Sequence, residues 1–144
     1  MSTNTMKGSA SVIGIDIDGT ITLDPDFYSA FTRDCKRSGV IIHIVSARPP
    51  ESRADTEAEL CELEIVYDEL HLLPSMEEAI TLCPHSEIEW FHRHFWMKID
   101  YSIRHGLSHF IDDNERVLQL FHVYAPEIIV FQASAYPLLR QLIR

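Results

Sequence analysis

The sequence predicts an α/β fold, a Rossmann-like three-layer sandwich built on a mostly parallel five-stranded sheet. Short runs of β-branched and apolar residues alternate with longer amphipathic stretches along most of the chain. One such run, residues 40–45, is apolar nearly throughout, which is typical of a strand covered on both faces. Alternation of strand and helix at these lengths implies right-handed crossovers between parallel strands.

The first half of the chain divides into strands and helices at recognisable signals. The first strand is predicted at residues 12–15. Asp24 followed by proline has the form of a helix N-cap, and this helix is predicted over residues 25–38. After the second strand, a helix is predicted over residues 49–62. Ile65, Val66 and Tyr67 then form a short third strand.

The second half continues the same alternation after residues 70–84, which fit no single element. A long helix is predicted over residues 87–105, with Gly106 as the residue that ends it. Five of its apolar residues recur at helical spacing and are expected to face the core. They are Ile88, Phe91, Phe95, Ile99 and Ile103. The remaining predicted elements are a strand at 107–111, a helix at 114–124, a strand at 128–131 and a helix at 137–144.

Composition bounds the classes of protein to consider. The chain has 144 residues, of which 46% are hydrophobic, and we expect one domain over residues 11–144 after a disordered tail at residues 1–10. No apolar run reaches the roughly 18 residues of a membrane span, and the first residues do not resemble a signal peptide, so we expect a cytoplasmic protein without membrane contact. Three scattered cysteines argue against a disulfide framework. The formal charge of −10 argues against nucleic acid as a partner.

Candidate site residues follow three of the predicted strands at the point where each strand ends. They are Asp16, Asp18 and Gly19 after the first strand, Ser46, Ala47 and Arg48 after the second, and Asp112 and Asp113 after the fourth. The helix before the fourth strand contributes Lys98. Because ligands bind beyond the carboxyl ends of parallel strands, we expect these side chains to converge on one edge of the sheet.

Such a group of carboxylates needs a cation. Two like charges about 4 Å apart repel by roughly 4 kcal/mol at an effective dielectric of 20. Mg²⁺ prefers oxygen ligands of this kind and can hold a phosphoryl group beside them. One aspartate could then attack phosphorus while the aspartate two residues later transfers protons. Ser46 and the backbone amides of residues 17–19 could hold phosphate oxygens, and Lys98 could offset their charge, with Arg93 or Arg104 as alternatives.

The ordered set of Asp16, Asp18, Ser46, Lys98, Asp112 and Asp113 resembles the four-motif signature of the haloacid dehalogenase superfamily of phosphotransferases. The resemblance covers residues 12–131 and implies a Rossmann-like sheet and dependence on Mg²⁺. It also implies that Asp16 is the nucleophile and Asp18 the general acid and base. In this superfamily the metal would be held by Asp16, the backbone carbonyl of Asp18 and Asp112, with Asp113 as a further ligand.

The resemblance predicts a phosphatase that hydrolyses phosphomonoesters through an aspartyl-phosphate intermediate. Few residues separate the motifs, so the cap over the site is expected to be minimal. The segments 46–49, 67–71 and 110–114 are similar to short putative nucleotidases of the superfamily, which favours a small-molecule phosphomonoester as substrate. The open alternatives are a polynucleotide 3′-phosphatase, a phosphoprotein phosphatase and a non-catalytic phosphate-sensing or scaffold protein. A homodimer and the role of residues 72–94 are also left open.

Overall fold

The structure is a computed structural model that describes residues 11–143. The predicted tail at residues 1–10 and the last residue, Arg144, lie outside this range, so the tail stays a prediction. Within the range, no helix has both the length and the apolar character needed to cross a membrane.

A five-stranded sheet forms the middle layer of the fold. Its strands, in chain order, are β1 (Val12–Ile15), β2 (Ile41–Ser46), β3 (Glu69–Leu72), β4 (His109–Asp112) and β5 (Ile129–Gln132). Their order across the sheet is β3-β2-β1-β4-β5, and each neighbouring pair is parallel. This confirms the predicted α/β sandwich. It also places β1, β2 and β4, which carry the motifs, next to one another.

Six α-helices cover the two faces of the sheet. They are α1 (Pro25–Arg37), α2 (Arg53–Glu62), α3 (Met76–Leu82), α4 (Arg93–Arg104), α5 (Glu115–Tyr124) and α6 (Tyr136–Arg140). Buried residues of α1, α2 and α6 belong to one apolar cluster, and those of α3, α4 and α5 to another. The sheet separates the two clusters, as in other three-layer folds.

Local capping confirms several predicted boundaries. The side chain of Asp24 accepts a hydrogen bond from the Phe27 N–H at the start of α1. Asn114 caps α5 in the same way through the Val117 N–H. Gly106 follows the end of α4 with φ of +65°. The last helix is shorter than predicted, because the chain forms three-residue turns after Arg140.

The third strand was predicted at the wrong place. Residues 65–67 are not in the sheet, and β3 begins at Glu69. The Ile65 N–H donates to the Leu60 carbonyl and so closes the end of α2, whereas the Val66 N–H donates to the Thr32 hydroxyl of α1. These backbone groups are satisfied by helices, so the strand starts later.

The predicted core face of the long helix was also wrong in part. The α-helix begins at Arg93, after a short 3₁₀ turn at Trp90–His92, and both Phe91 and Ile103 are about half exposed. Ile88 and Ile99 are buried as expected. The face of α4 that packs on the sheet includes buried polar residues, which form hydrogen bonds inside the protein. The spacing of apolar residues alone therefore predicts the wrong face of the helix as the buried one.

Candidate active site

Asp16 and Asp112 lie side by side at the carboxyl edge of the sheet. Asp16 follows β1 directly and Asp112 is the last residue of β4. The strands are parallel, with Ile15 opposite Ile111, and the Asp16 N–H donates to the Ile111 carbonyl at 3.0 Å. The two strand ends converge as predicted, and both carboxylates are buried.

Lys98 joins the two carboxylates from the facing helix. Its Nζ donates to Asp16 Oδ1 at 2.9 Å and to Asp112 Oδ2 at 2.7 Å. The Lys98 side chain is 4% exposed. The alternatives weighed from the sequence lie elsewhere, since Arg93 binds backbone carbonyls of residues 86 and 88 and Arg104 pairs with Asp100.

Burial and the contacts among these three groups together shift their pKa values. Burial raises the pKa of Asp16 to about 7, although the Lys98 ammonium opposes this change. Burial likewise raises the pKa of Asp112. Burial by itself would lower the pKa of Lys98, but the two carboxylates more than offset it and the pKa is raised. The site therefore favours a charged lysine and would accept further positive charge beside the acids.

A third carboxylate completes a group that could hold a metal ion. Asp16, Asp112 and Asp113 each offer one oxygen, and these oxygens lie within 4.8 Å of one another. The Thr20 hydroxyl contacts Asp16 Oδ2 at 3.0 Å and Asp113 Oδ1 at 3.2 Å. Three carboxylates outweigh one ammonium, so the oxygen donors and the net negative charge fit a hard divalent cation such as Mg²⁺.

The turn after β1 brings its backbone close to Asp113. Gly19 has φ of +86°, and a Cβ at this position would lie 2.5 Å from Asp113 Oδ2. Glycine is therefore required for both conformation and space. The Gly19 N–H, predicted to hold phosphate, donates to Thr22 Oγ1 at 2.9 Å. The binding of phosphate by the Gly19 N–H stays a prediction, and it requires the hydrogen bond to Thr22 to break.

Asp18, the predicted acid and base, is held by Arg48, which follows β2. Arg48 donates through Nε and Nη2 to the two Asp18 oxygens, at 2.9 and 2.8 Å. The same guanidinium donates to Glu59 Oε1 at 2.7 Å. Hydrogen bonding to Arg48 lowers the pKa of the Asp18 carboxyl. Asp18 does not belong to the carboxylate group described above, and its predicted metal contact would come from its backbone.

Ser46 and Ala47 precede Arg48 and differ in whether they face the cleft beside Asp16. Ser46 is fully buried, and its Oγ accepts a hydrogen bond from the Arg48 N–H at 3.1 Å. Ala47 lines the cleft directly. Of the residues predicted to bind phosphate, Ala47 therefore lies in the lining of the cleft, whereas Ser46, Arg48 and Gly19 do not.

The cleft itself has a volume of about 150 Å³. Sequence reasoning identified most of its walls but missed three residues. The lining residues are Asp16, Asp18, Ala47, Phe95, Lys98, Asp112, Asp113, Asn114 and Val117. Phe95 and Val117 carry no motif signal, because their place at the cleft depends on how α4 and α5 pack, whereas Asn114 belongs to the segment 110–114 but was not selected as a site residue.

Comparison with known proteins identifies the fold alone. No protein-family profile matches the sequence, and no curated protein matches it. A chain from a Pnkp1/Rnl/Hen1 RNA repair complex is 18% identical, with a TM-score of 0.59 over 85% of this protein. A chain from a second structure of a Pnkp1/Rnl/Hen1 complex is 19% identical, with a TM-score of 0.57 over 86%. This protein spans 42% and 46% of those chains, less than half of each.

Proposed function

We propose that this protein is a Mg²⁺-dependent phosphomonoester hydrolase of the haloacid dehalogenase type. The observation that carries the proposal is the buried Lys98 ammonium shared between Asp16 and Asp112, with Asp113 in the same oxygen group. A buried aspartate in contact with a cation and open to a cleft has the surroundings that a nucleophile for phosphorus requires.

The reaction proceeds in two steps. Asp16 attacks phosphorus, the bond to the leaving oxygen breaks, and this oxygen takes a proton from Asp18. Asp18 then accepts a proton from a water molecule that attacks the aspartyl-phosphate, and Asp16 and inorganic phosphate are released. Lys98 offsets the negative charge on the intermediate. Asp16, the Asp18 carbonyl, Asp112 and Asp113 would hold Mg²⁺, which supplies positive charge beside the phosphoryl group.

The ion pair between Arg48 and Asp18 must change before Asp18 can act as an acid in the first step. Asp18 must carry a proton to protonate the leaving oxygen, whereas Arg48 favours its ionised form. An incoming phosphate dianion competes for the same guanidinium. We infer that substrate binding draws Arg48 towards phosphate and frees Asp18, with Ser46, Ala47 and Gly19 forming the rest of the phosphate site.

Release of phosphate from an aryl phosphate tests the proposal. Wild-type protein should release phosphate with Mg²⁺ and lose this activity when EDTA is added. Asp16→Asn should abolish turnover while the circular dichroism spectrum is retained, and Asp26→Asn, at an exposed acidic residue of α1, should keep it. Wild-type protein that is inert across a broad panel of phosphomonoesters contradicts the proposal. A labelled acyl-phosphate that persists for minutes with little phosphate release would instead identify a sensor.

A second candidate function is a polynucleotide 3′-phosphatase. The similarity of the fold to chains of an RNA repair complex favours it, and the expectation from net charge that nucleic acid is not a partner receives no support. The net charge of −10 weighs against long contacts with a phosphate backbone. Comparing hydrolysis of a 3′-phosphorylated oligonucleotide with that of a mononucleotide decides between the two. A kcat/KM at least tenfold higher for the oligonucleotide would favour RNA repair.

A further inference from the structure

A row of aromatic side chains lies at the mouth of the cleft. The direction of α4 places it there. Lys98, in the second turn of α4, reaches Asp16 at the carboxyl edge, whereas Tyr101, one turn later, contacts His43 within β2. The turn Trp90–His92 precedes α4 and therefore lies outward of the carboxyl edge of the sheet.

The row consists of Phe95, His92, Phe91 and Trp90, and it begins inside the cleft. Phe95 lines the cleft together with Lys98. The His92 ring stacks on Phe95 with centroids 5.3 Å apart and planes inclined by 22°. Phe91 contacts His92 at 4.5 Å, and Trp90 meets Phe91 edge-on at 5.5 Å. The rings thus form a continuous path from the cleft to solvent.

The outer part of the row exposes much apolar area to solvent. Trp90 is 58% exposed and Phe91 47% exposed. Large aromatic side chains at a surface next to a polar cleft are typical of a binding site rather than of packing. Because Phe95 lines the cleft together with Asp16, Asp112 and Asp113, the inner end of the row borders both the predicted nucleophile and the predicted metal ligands.

The middle of the row is held in place by charged residues. Glu89 Oε1 and Arg116 Nε lie 3.1 and 3.2 Å from His92 Nδ1. Arg116 also donates to Glu89 at 2.7 Å. The two charges offset each other, so Glu89 adds no uncompensated negative charge beside the row.

We propose that this aromatic row is a stacking subsite for an unpaired nucleobase of the substrate. The proposal rests on the proposed phosphatase function, because the phosphate bound beside Asp16 positions the rest of the ligand. A nucleotide carries its base farther from phosphate than a phenyl phosphate carries its ring, because a ribose lies between them. The row continues outward from Phe95 to His92 and Phe91, and stacking on aromatic rings is tolerant of base identity. The stacked face of the base must be free of a neighbouring base, and a free nucleotide or a single-stranded end provides such a face.

Substrate selectivity tests this proposal. For wild-type protein we expect kcat/KM to be about tenfold higher for AMP than for ribose 5-phosphate, which lacks a base, because a difference of this size lies within the range of one base–aromatic stack. In the double variant Trp90→Ala/Phe91→Ala this ratio should fall about tenfold. The conservative variant Trp90→Phe should retain most of it. Val123→Ala, at an exposed apolar residue near the end of α5, is the matched control and should leave the ratio unchanged.

A binding measurement separates this proposal from the phosphatase reaction. In Asp16→Asn protein, AMP should quench the fluorescence of the exposed Trp90, and Trp90→Phe should remove the quenching while affinity measured by equilibrium dialysis is kept. If wild-type protein hydrolyses no phosphomonoester but this quenching is seen, the phosphatase proposal fails and the subsite stands. A 3′-phosphorylated dinucleotide in place of AMP shows whether the base belongs to a free nucleotide or to a strand end, and binding of either supports the proposal.

Three results would overturn it. The first is an AMP to ribose 5-phosphate ratio near one that the double variant does not change. The second is a preference for O-phosphotyrosine over AMP, which would place a phenyl ring in the cleft. The third is a change of oligomeric state in the double variant with unaltered selectivity, which would assign the row to contact between copies of the chain.

Discussion

The ammonium of Lys98 lies 2.7 Å from the carboxylate of Asp112, and both side chains are almost completely buried. Lys98 comes from α4 and Asp112 from the end of β4, so this contact ties a helix on one face to the edge of the sheet. With Asp16 as second acceptor, the contact compensates the cost of burying like charges next to each other.

Removing the charge of Lys98 should therefore destabilise the fold strongly. Lys98→Met leaves Asp16 and Asp112 without their cation, and we expect the free energy of unfolding in EDTA at pH 8 to fall by about 3–5 kcal/mol. The loss should shrink towards pH 5, where these carboxyl groups take up protons. Lys36→Met removes an ion pair with Asp68 near the surface and should cost at most about 1 kcal/mol. If urea unfolding showed that Lys98→Met and Lys36→Met lose the same free energy of unfolding, this account of the site would be contradicted.

Replacing Gly19 should weaken metal binding through Asp113. Gly19→Ala introduces a Cβ 2.5 Å from Asp113 Oδ2 and should reduce Mg²⁺ affinity by about tenfold or more, as measured by calorimetric titration. Gly39→Ala is a matched control, since Gly39 has φ of +82° and nothing lies within 4 Å of the added Cβ. Both variants should lose about 1–2 kcal/mol of stability from the left-handed backbone. An unchanged Mg²⁺ affinity in Gly19→Ala would remove Asp113 from the metal site.

The ion pair between Arg48 and Asp18 should be visible in the titration of Asp18. Arg48→Gln removes the bidentate donor that lowers the pKa of Asp18, so this pKa should rise in metal-free protein. Carbon NMR of the labelled carboxyl group measures the change directly. Arg53→Gln, a neighbouring arginine bonded to the Leu70 carbonyl, should leave Asp18 unaffected. If Asp18 titrates identically in Arg48→Gln and wild type, Arg48 does not control its protonation.

Protonation of buried His43 should reduce the free energy of unfolding in mild acid, whereas Asp16 and Asp112, whose pKa values are raised, contribute in the opposite direction. Burial, with the nearby His105, lowers the pKa of His43 below its ordinary value of 6.5. The unfolded chain then binds a proton more readily than the folded one, so this contribution is complete above pH 6.5 and is lost as pH falls through the folded pKa. Each pH unit in that window reduces the free energy of unfolding by up to about 1.4 kcal/mol.

Two variants isolate the contribution of His43. The decrease in the free energy of unfolding between pH 7.5 and pH 5.5 should be smaller in His43→Gln, which keeps a polar group near Tyr101, than in wild type. His122→Gln, at an exposed residue of α5, should show the wild-type decrease. A wild-type pH dependence in His43→Gln would assign the effect to other groups.

Much of the fold and the outline of the site could be predicted from local sequence. The alternation of apolar runs with capped helices predicted a parallel sheet, and the positions of Asp16 and Asp112 after two strands predicted that they would meet. Both predictions depend on short-range rules, namely hydrophobic periodicity, N-caps and the common edge of parallel strands. The elements that carry such signals, α1 and α5 among them, begin within one or two residues of their predicted starts.

Tertiary packing decided the remainder. The pairing of Arg48 with Asp18 and Glu59 depends on how α2 lies against the turn after β1, and no spacing along the chain encodes that distance. Strand β3 begins at Glu69 because helices take the backbone hydrogen bonds of the preceding residues. Lys98 is buried because two carboxylates from distant strand ends supply its partners, whereas a lysine in an isolated helix would face water. The sequence by itself determined which chemical groups reach the edge of the sheet, and the tertiary structure determined which of them touch, because contacts between elements depend on packing across the whole core.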